Sequence, residues 1–245
     1  MAITKEWELR GLRYCREQNF LPTGDSILEF GECEADQRVP FTEVITAHAP
    51  ENRRQALLDE AASMDLMTES QKRKFGAKLL YKALFNNKTY EAVDLGGEQS
   101  HKIDLNFDCD LGKQYDICIN NGTAEHVFNV LQFFTTVHKH TKLGGHMVHW
   151  TPSNGWLNHG FHQFQPTLFF DLAHANSYKI MAIVVLTPHR MMHFLTPESQ
   201  ENYSTSLHRD LNICETLAIF QKVEDKPFAI PFQTMYKEHA PQTRY

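Results

Sequence analysis

Cysteine is scarce and unpatterned in this chain. There are five in 245 residues (Cys15, Cys33, Cys109, Cys118 and Cys214), an odd number, with no C-x-x-C pair. That excludes a disulfide framework and a cysteine-built zinc site. No apolar run approaches the roughly 20 residues that cross a bilayer, and the chain does not open on a signal-type apolar segment. A soluble cytoplasmic protein without a membrane partner is expected. Positive charge is in deficit, 24 Lys and Arg against 30 Asp and Glu, for a net charge of -6. A nucleic-acid surface is normally basic, so no nucleic-acid partner is expected. The chain has no G-x-G-x-x-G and no H-E-x-x-H or other zinc spacing, and the expectation for metal ligands is none. Repeats, low-complexity segments and Pro/Gly/Ser linkers are missing as well. One domain over residues 1–245 follows, with an N-terminal helical cap over about 1–20 and a long crossover or lid over about 33–88.

Apolar residues make up 42% of the chain, enough for a sizeable core. Histidine is the compositional oddity: there are 14, several of them between His138 and His162.

The most organised stretch runs from Tyr115 to Phe170. Ile117 to Ile119 has the length and branching of a strand, and Asn120, Asn121 and Gly122 make a turn at its carboxyl end. Thr123 is a good N-cap, and Glu125 suits the first turn of a helix. Val127, Val130, Leu131, Phe134 and Val137 recur at helical spacing. Lys139 and Lys142 occupy the last turn, and Gly144-Gly145 ends the helix. His146 to Trp150 begins a second strand. A strand, helix and strand of this kind form a right-handed crossover in a parallel sheet, whose ligands sit beyond the carboxyl ends of the strands. The polar clusters Asn120 to His126 and Thr151 to Gln165 fall at that edge.

The flanks extend the pattern. Residues 5 to 18 read as a helix, either a packing element or a lid from which Tyr14 reaches a ligand. Ser26 to Glu32 is a strand ending at Glu29-Phe30-Gly31. Helices are expected from about Glu51 to Ala62 and from an N-cap at Thr68 to about Phe85. Tyr90 to Leu95 is a short strand ending in Asp94, and His101 to Asn106 is another, ending in Asp104. Pro166 to about His174 reads as a helix, Tyr178 to Leu186 as a buried strand, and Leu211 to Val223 as a late strand, antiparallel at the sheet edge. Thr187 to Arg209 reads as a loop or lid. Acids thus end three successive strands, at Glu29, Asp94 and Asp104, and a polar turn ends the fourth. Phosphate would want amide cradles and cations instead. The acids suit a ligand with ribose hydroxyls, an exocyclic amine and an ammonium group.

At this point the chain resembles the class I S-adenosylmethionine-dependent methyltransferases of the small-molecule type. The likeness is carried by Asp104-Leu105-Asn106, Tyr115-Asp116-Ile117, Asn121-Gly122-Thr123-Ala124-Glu125-His126-Val127-Phe128-Asn129, Gly144-Gly145 and Asn158-His159-Gly160-Phe161-His162-Gln163-Phe164-Gln165-Pro166, with Pro231-Phe232-Gln233 and Tyr236 in the tail. The first motif has one glycine, in Leu28-Glu29-Phe30-Gly31-Glu32-Cys33-Glu34, where the family usually has several.

The resemblance implies an α/β, Rossmann-like, doubly wound sheet of seven strands in order 3-2-1-4-5-7-6, one of them antiparallel, with helices on both faces. It implies S-adenosyl-L-methionine as cofactor and a small-molecule methyl acceptor. Glu29 and Gly31 would lie near the methionine ammonium. Asp94 would hold the ribose hydroxyls, with Leu95 against the adenine, and Asp104 and Leu105 would take the adenine amine and ring nitrogen. Asn121 and Gly122 would line the floor beneath the sulfonium, beside Glu125 and His126. His159 is the first candidate for a catalytic base, since histidine titrates near neutrality. Trp156, His162 and Gln163, with Phe161, would shape the acceptor pocket. Two other functions fit the same residues: a non-catalytic relative that serves as a binding or scaffold protein, and a metal-dependent enzyme using the histidine cluster.

Overall fold

A computed structural model describes residues 2–3, 6–188, 192–194, 213–234 and 236. The strands are β1 (Ala2–Ile3), β2 (Ser26–Phe30), β3 (Glu34–Ala35), β4 (Thr89–Val93), β5 (Tyr115–Asn121), β6 (Thr141–Asn154), β7 (Lys179–Leu186), β8 (Met192–Phe194) and β9 (Cys214–Gln221). The α-helices are α1 (Glu6–Glu17), α2 (Phe41–His48), α3 (Glu51–Ser63), α4 (Glu69–Phe85), α5 (Val130–His140) and α6 (Pro166–Asn176). β1 and β3 form a two-residue parallel pair. The other seven strands form one sheet in the order β4-β2-β5-β6-β9-β7-β8. β4, β2, β5 and β6 are parallel neighbours. β9 is antiparallel as expected but lies between β6 and β7, bonded on both sides, rather than at the sheet edge, and β8 runs antiparallel to β7.

The doubly wound α/β architecture is as expected, with two corrections. The expected order places a strand outside β4, but residues 101–106 join the sheet only through a bridge between Val93 and His101. The Asp104 carboxylate accepts from the backbone and side-chain nitrogens of Asn106, and Phe107 N–H returns to the Asp104 carbonyl. This local turn competes with an extended ladder. The seventh strand is instead the short β8 at the opposite edge. Two strands, β9 and β8, therefore run against the parallel set rather than one.

Period-two alternation divides the core between the two faces of the sheet. Ile27, Ile117, Ile119, Val148, Trp150, Val184, Leu186, Leu217 and Ile219 pack with Leu9 and Leu12 of α1 and Leu80, Tyr81 and Leu84 of α4. Leu28, Phe30, Cys118, Met147, Ile183, Val185, Ala218 and Phe220 pack with Phe133, Phe134 and Val137 of α5 and Phe169, Phe170 and Leu172 of α6. Each fully buried side chain of this size contributes about 1.5–3 kcal/mol relative to exposure. α1 approaches β7 closely enough that a Cβ at Gly11 would meet Leu186 at 2.8 Å.

Between β3 and β4 the chain is largely helical. α2 is an addition to the expected elements. It follows Pro40 and buries Val44 against the main core and Ile45 in a satellite core with Leu57, Met64, Leu79 and Ala83 of the neighbouring helical segment. α4 starts as expected at Thr68, where a capping box joins Thr68 and Gln71, and it stops at Asn86, which adopts the left-handed conformation at φ 58°.

The central helix is shorter than its sequence pattern. A 3-10 turn over Ala124–His126 precedes it, and α5 begins only after Asn129, whose side chain accepts from Gln132 N–H. The Asn120 side chain draws residues 123 and 124 into that turn by accepting from both of their N–H groups. Gly144 and Gly145 lie inside β6 rather than at the helix end. A Cβ at Gly145 would come within 3.1 Å of the carbonyl oxygens of Lys142, Asp116 and Tyr115, so this glycine permits the close approach of β5 and β6.

Candidate functional site

β5 and β6 are adjacent and parallel, and their carboxyl ends open onto the two polar clusters of the sequence. At the end of β5, Asn120 is buried, and its side-chain Oδ1 accepts from Thr123 N at 3.1 Å and Ala124 N at 3.0 Å. Asn121 is also buried and donates from Nδ2 to Cys33 Sγ at 3.2 Å, tying this turn to the loop after β2. Gly122, at φ +70°, donates to the Trp150 carbonyl of β6. The turn then sends Glu125 inward: its side chain is 0% exposed.

The loop after β6 hangs on that turn. Phe161 N and His162 N both donate to the Glu125 carbonyl, at 2.7 and 3.1 Å. Gly160 packs so closely that a Cβ there would lie 2.7 Å from the same oxygen. The fastening places His159 Nε2 at 3.5 Å from Glu125 Oε1, an ion-pair rather than a hydrogen-bond distance. The His159 ring centroid is 5.0 Å from that of His126 and 4.9 Å from that of Trp156. Neither Glu125 oxygen has a hydrogen-bond partner, and burial pushes its carboxyl up to about 7. Burial, followed by the neighbouring His159, holds the His126 imidazole below its ordinary value. Trp156 donates its indole N–H to the Cys214 carbonyl and its backbone N–H to Gln163 Oε1. His162 Nε2 is buried without a hydrogen-bond partner. Phe128 and Phe161, both largely exposed, meet edge to face at 5.9 Å beside the turn and loop.

A second group of expected residues lies at the ends of β2 and β4. Asp94 shapes the loop that follows it. One of its oxygens accepts from Gly96 N and Gly97 N, and the other from Glu32 N. Glu32 returns the link by accepting from Glu98 N and Gln99 N, so the two loops are laced together. Asp94 uses three of a carboxylate's roughly four acceptor positions and keeps one for a hydroxyl. Leu95 is 69% exposed and presents an apolar face beside it. Asp104 is half-buried and Leu105 buried. An acid with an acceptor position left, an exposed Leu95 and a second half-buried acid suit the nucleoside part of S-adenosyl-L-methionine.

At the methionine end the expected contact is not made. Glu29 points across the sheet toward α4 and is fully buried. Its carboxylate accepts from the hydroxyls of Tyr81 and Tyr90 and from Cys33 N–H. Burial is the dominant influence and raises its pKa to about 7. A carboxylate so enclosed is turned away from the loop edge and does not reach a ligand's ammonium group there. Gly31 adopts φ +88°, and a Cβ there would sit 2.0 Å from Thr123 Oγ1, so the β2 and β5 turns touch only because this residue is glycine.

Tyr14 is not brought to this edge either. It lies one turn from the end of α1 and packs on Phe20 at 6.4 Å, where the chain approaches the amino end of β2. The packing reading of α1 is the one its geometry fits. The expected loop over 187–209 lies mostly outside the described residues. Tyr81, Tyr90 and Glu32 organise the site without having been singled out from the sequence. The acid-Gly pattern at β2 hides them, because both tyrosine partners of Glu29 are more than fifty residues away.

No family model matches the chain, and no curated protein matches it. Solved structures do. The N-methyltransferase NodS from Bradyrhizobium japonicum WM9, in complex with S-adenosyl-L-homocysteine, aligns over 90% of this chain and 89% of its own, with 12% identity and a TM-score of 0.49. An S-adenosylmethionine-dependent methyltransferase from Mesorhizobium loti aligns over 88% and 97%, with 13% identity and a TM-score of 0.48. The 1,6-didemethyltoxoflavin-N1-methyltransferase of Burkholderia thailandensis aligns over 88% and 77%, with 11% identity and a TM-score of 0.46. At such identities and scores, the likeness carries no statement about this chain's chemistry. Among the described residues, no helix is long and apolar enough to cross a membrane.

Proposed function

We propose that this chain transfers a methyl group from S-adenosyl-L-methionine to an oxygen or nitrogen of a small polar molecule. The observation that carries the reading is the placement of two chemically different groups along one sheet edge. Acids Asp94 and Asp104, with exposed Leu95, follow β4, while the Glu125–His159 pair lies beyond β5 and β6. A doubly wound sheet binds ligands along this edge, across strands that leave their loops on one side.

When bound, S-adenosyl-L-methionine would supply an electrophilic methyl carbon on a sulfonium, to be taken by the acceptor's lone pair with loss of the carbon–sulfur bond to the thioether product. The protein's part is chiefly positioning, with the acceptor atom held about 3–3.5 Å from that carbon. Asp94 would accept a ribose hydroxyl, with Leu95 against the base and Asp104 and Leu105 at the base edge. Gly122 keeps the floor between the two ligands free of a Cβ. His159, oriented through Nε2 by Glu125, takes the acceptor's proton at Nδ1. Glu125 balances the charge that forms on the ring, the role of an orienting carboxylate behind a histidine base. Trp156, His162 and Gln163 border the acceptor.

Calorimetric titration of the purified chain with S-adenosyl-L-methionine and S-adenosyl-L-homocysteine tests the proposal, with micromolar binding of both expected. Asp94→Ala should weaken both at least tenfold while the far-UV circular dichroism stays folded. Equal affinity in the folded variant would remove the ribose assignment. A folded wild-type chain that binds neither ligand at millimolar concentration would remove the function itself.

A further inference from the structure

The inward course of Glu125 presents a chemical problem. A carboxylate with no exposure and no hydrogen-bond donor is expensive to keep charged. Three things relieve such a group: a proton, a cationic partner or a metal ion. The surroundings favour the third. Ligand atoms, one each from Glu125, His126 and His159, lie within 4.8 Å of one another. Two of them, Glu125 Oε1 and His159 Nε2, already lie 3.5 Å apart. Ligands at about 2.0–2.1 Å from a tetrahedral ion are roughly 3.3 Å from one another, so small side-chain rotations complete the set.

We infer that Glu125, His126 and His159 form a binding site for one divalent transition-metal ion, with zinc the best match. The donor set selects the class of ion. Two imidazoles and one carboxylate suit zinc, manganese, iron or cobalt; calcium and magnesium want oxygen ligands throughout. Three protein ligands leave a coordination position open, as in reactive rather than purely structural sites.

The scaffold is also rigid in the way a ligand set requires. Glu125 and His126 share one 3-10 turn, held at its start by Asn120 and packed against Gly31 through Thr123. His159 is carried by a loop bonded twice to the Glu125 carbonyl. The ligands from the two segments therefore keep their spacing without a metal. His162 Nε2, buried and unpartnered on the same loop, is a further imidazole close in sequence. When Nε2 of His159 binds the metal, Nδ1 carries the ring's proton, so the base role of His159 belongs to the metal-free chain, and a bound ion would instead acidify a coordinated acceptor hydroxyl whose proton leaves to water.

The site goes beyond methyl transfer, and its test reads metal rather than activity, so the two proposals fail separately. The full chain is stripped with a chelator and titrated with Zn2+ and, separately, Mg2+ by calorimetry. Co2+ is added to a parallel sample and its visible ligand-field bands recorded. One equivalent of Zn2+ should bind with micromolar or tighter affinity, Mg2+ should not compete, and Co2+ should develop bands of low-coordinate geometry. His126→Gln and His159→Gln, both at partly exposed positions, should each weaken Zn2+ at least tenfold and abolish the Co2+ bands with circular dichroism unchanged. Glu125→Gln should do the same if it folds. A folded wild type that takes up no stoichiometric Zn2+ or Co2+ would overturn the inference. So would unchanged binding in both histidine variants, which would place the metal elsewhere.

Discussion

Replacing Glu29 by glutamine tests how the first strand of the parallel set is held. The carboxyl is wholly buried, and its pKa rises from 4.5 to about 7, chiefly through burial. The unfolded chain gives up this proton near 4.5, whereas the folded chain keeps it until about 7. Between those values the folded state holds one proton more, and its stability falls as pH rises; below and above them the contribution is flat. At 1.36 kcal/mol per unit, the loss across the window is roughly 3 kcal/mol. Glutamine fills the same volume and never ionises. It keeps an acceptor for one phenol and cannot accept at its amide nitrogen, a cost of about 1–2 kcal/mol that does not change with pH. Urea unfolding of both proteins between about pH 5 and about pH 8 therefore isolates the ionisation. The wild type should lose about 2–3 kcal/mol relative to the variant across that range, most of it by neutrality. Glu125, whose carboxyl is also raised to about 7, is present in both proteins and cancels. Parallel stability curves would refute the buried, proton-holding Glu29 and return this carboxylate to the list of groups open to a ligand.

Other perturbations probe the remaining parts of the edge. Gly31→Ala places a Cβ 2.0 Å from Thr123 Oγ1 at φ +88° and should cost about 2–5 kcal/mol, read as a lower thermal midpoint; an unchanged midpoint would contradict the contact between the two turns. His159→Ala should leave cofactor affinity intact and reduce turnover about 10²–10⁴-fold once an acceptor is found, and unchanged turnover would remove the base assignment.

Much of the architecture is legible in the sequence because it rests on local periodicity. α1 follows from the amphipathic spacing of Leu9 and Leu12, α4 from Thr68 and its apolar face, and α6 from Pro166 at a first turn. β7 and β9 follow from runs of apolar residues that both faces of a sheet demand. The misreadings occur where a side chain overrides the periodic signal. Asn120 and Asn129 between them delay the start of α5, and Asp104 folds residues 104–107 into a turn where the pattern suggested a strand. α2 was hidden by its brevity and by the charged segment around it. The candidate site divides in the same way. That the Asn120–His126 and Thr151–Gln165 clusters face one edge follows from strand–helix–strand logic alone. That Glu125 would meet His159 does not, because the contact is made between residues 34 positions apart by a loop hanging from a backbone carbonyl. The inward turn of Glu29 was equally invisible, since it depends on two phenols supplied by α4 and β4.

The bridge at Val93 leaves β4 as a border of the sheet. An open border offers unpaired amides and carbonyls to any extended chain that passes, including another copy of this one. Here the far end of that border is occupied: His101 N–H donates to the Ala92 carbonyl, and Asp94 N–H donates to the carbonyl of His101. Along the strand, Glu91 is paired with both Lys113 and His101, and the Lys113 ammonium lies 5.4 Å over the Tyr115 ring. A strand docking there would have to displace this charged cluster and strip water from it. Three side chains and one bridge thus guard a border where the sequence pattern suggested a whole additional strand.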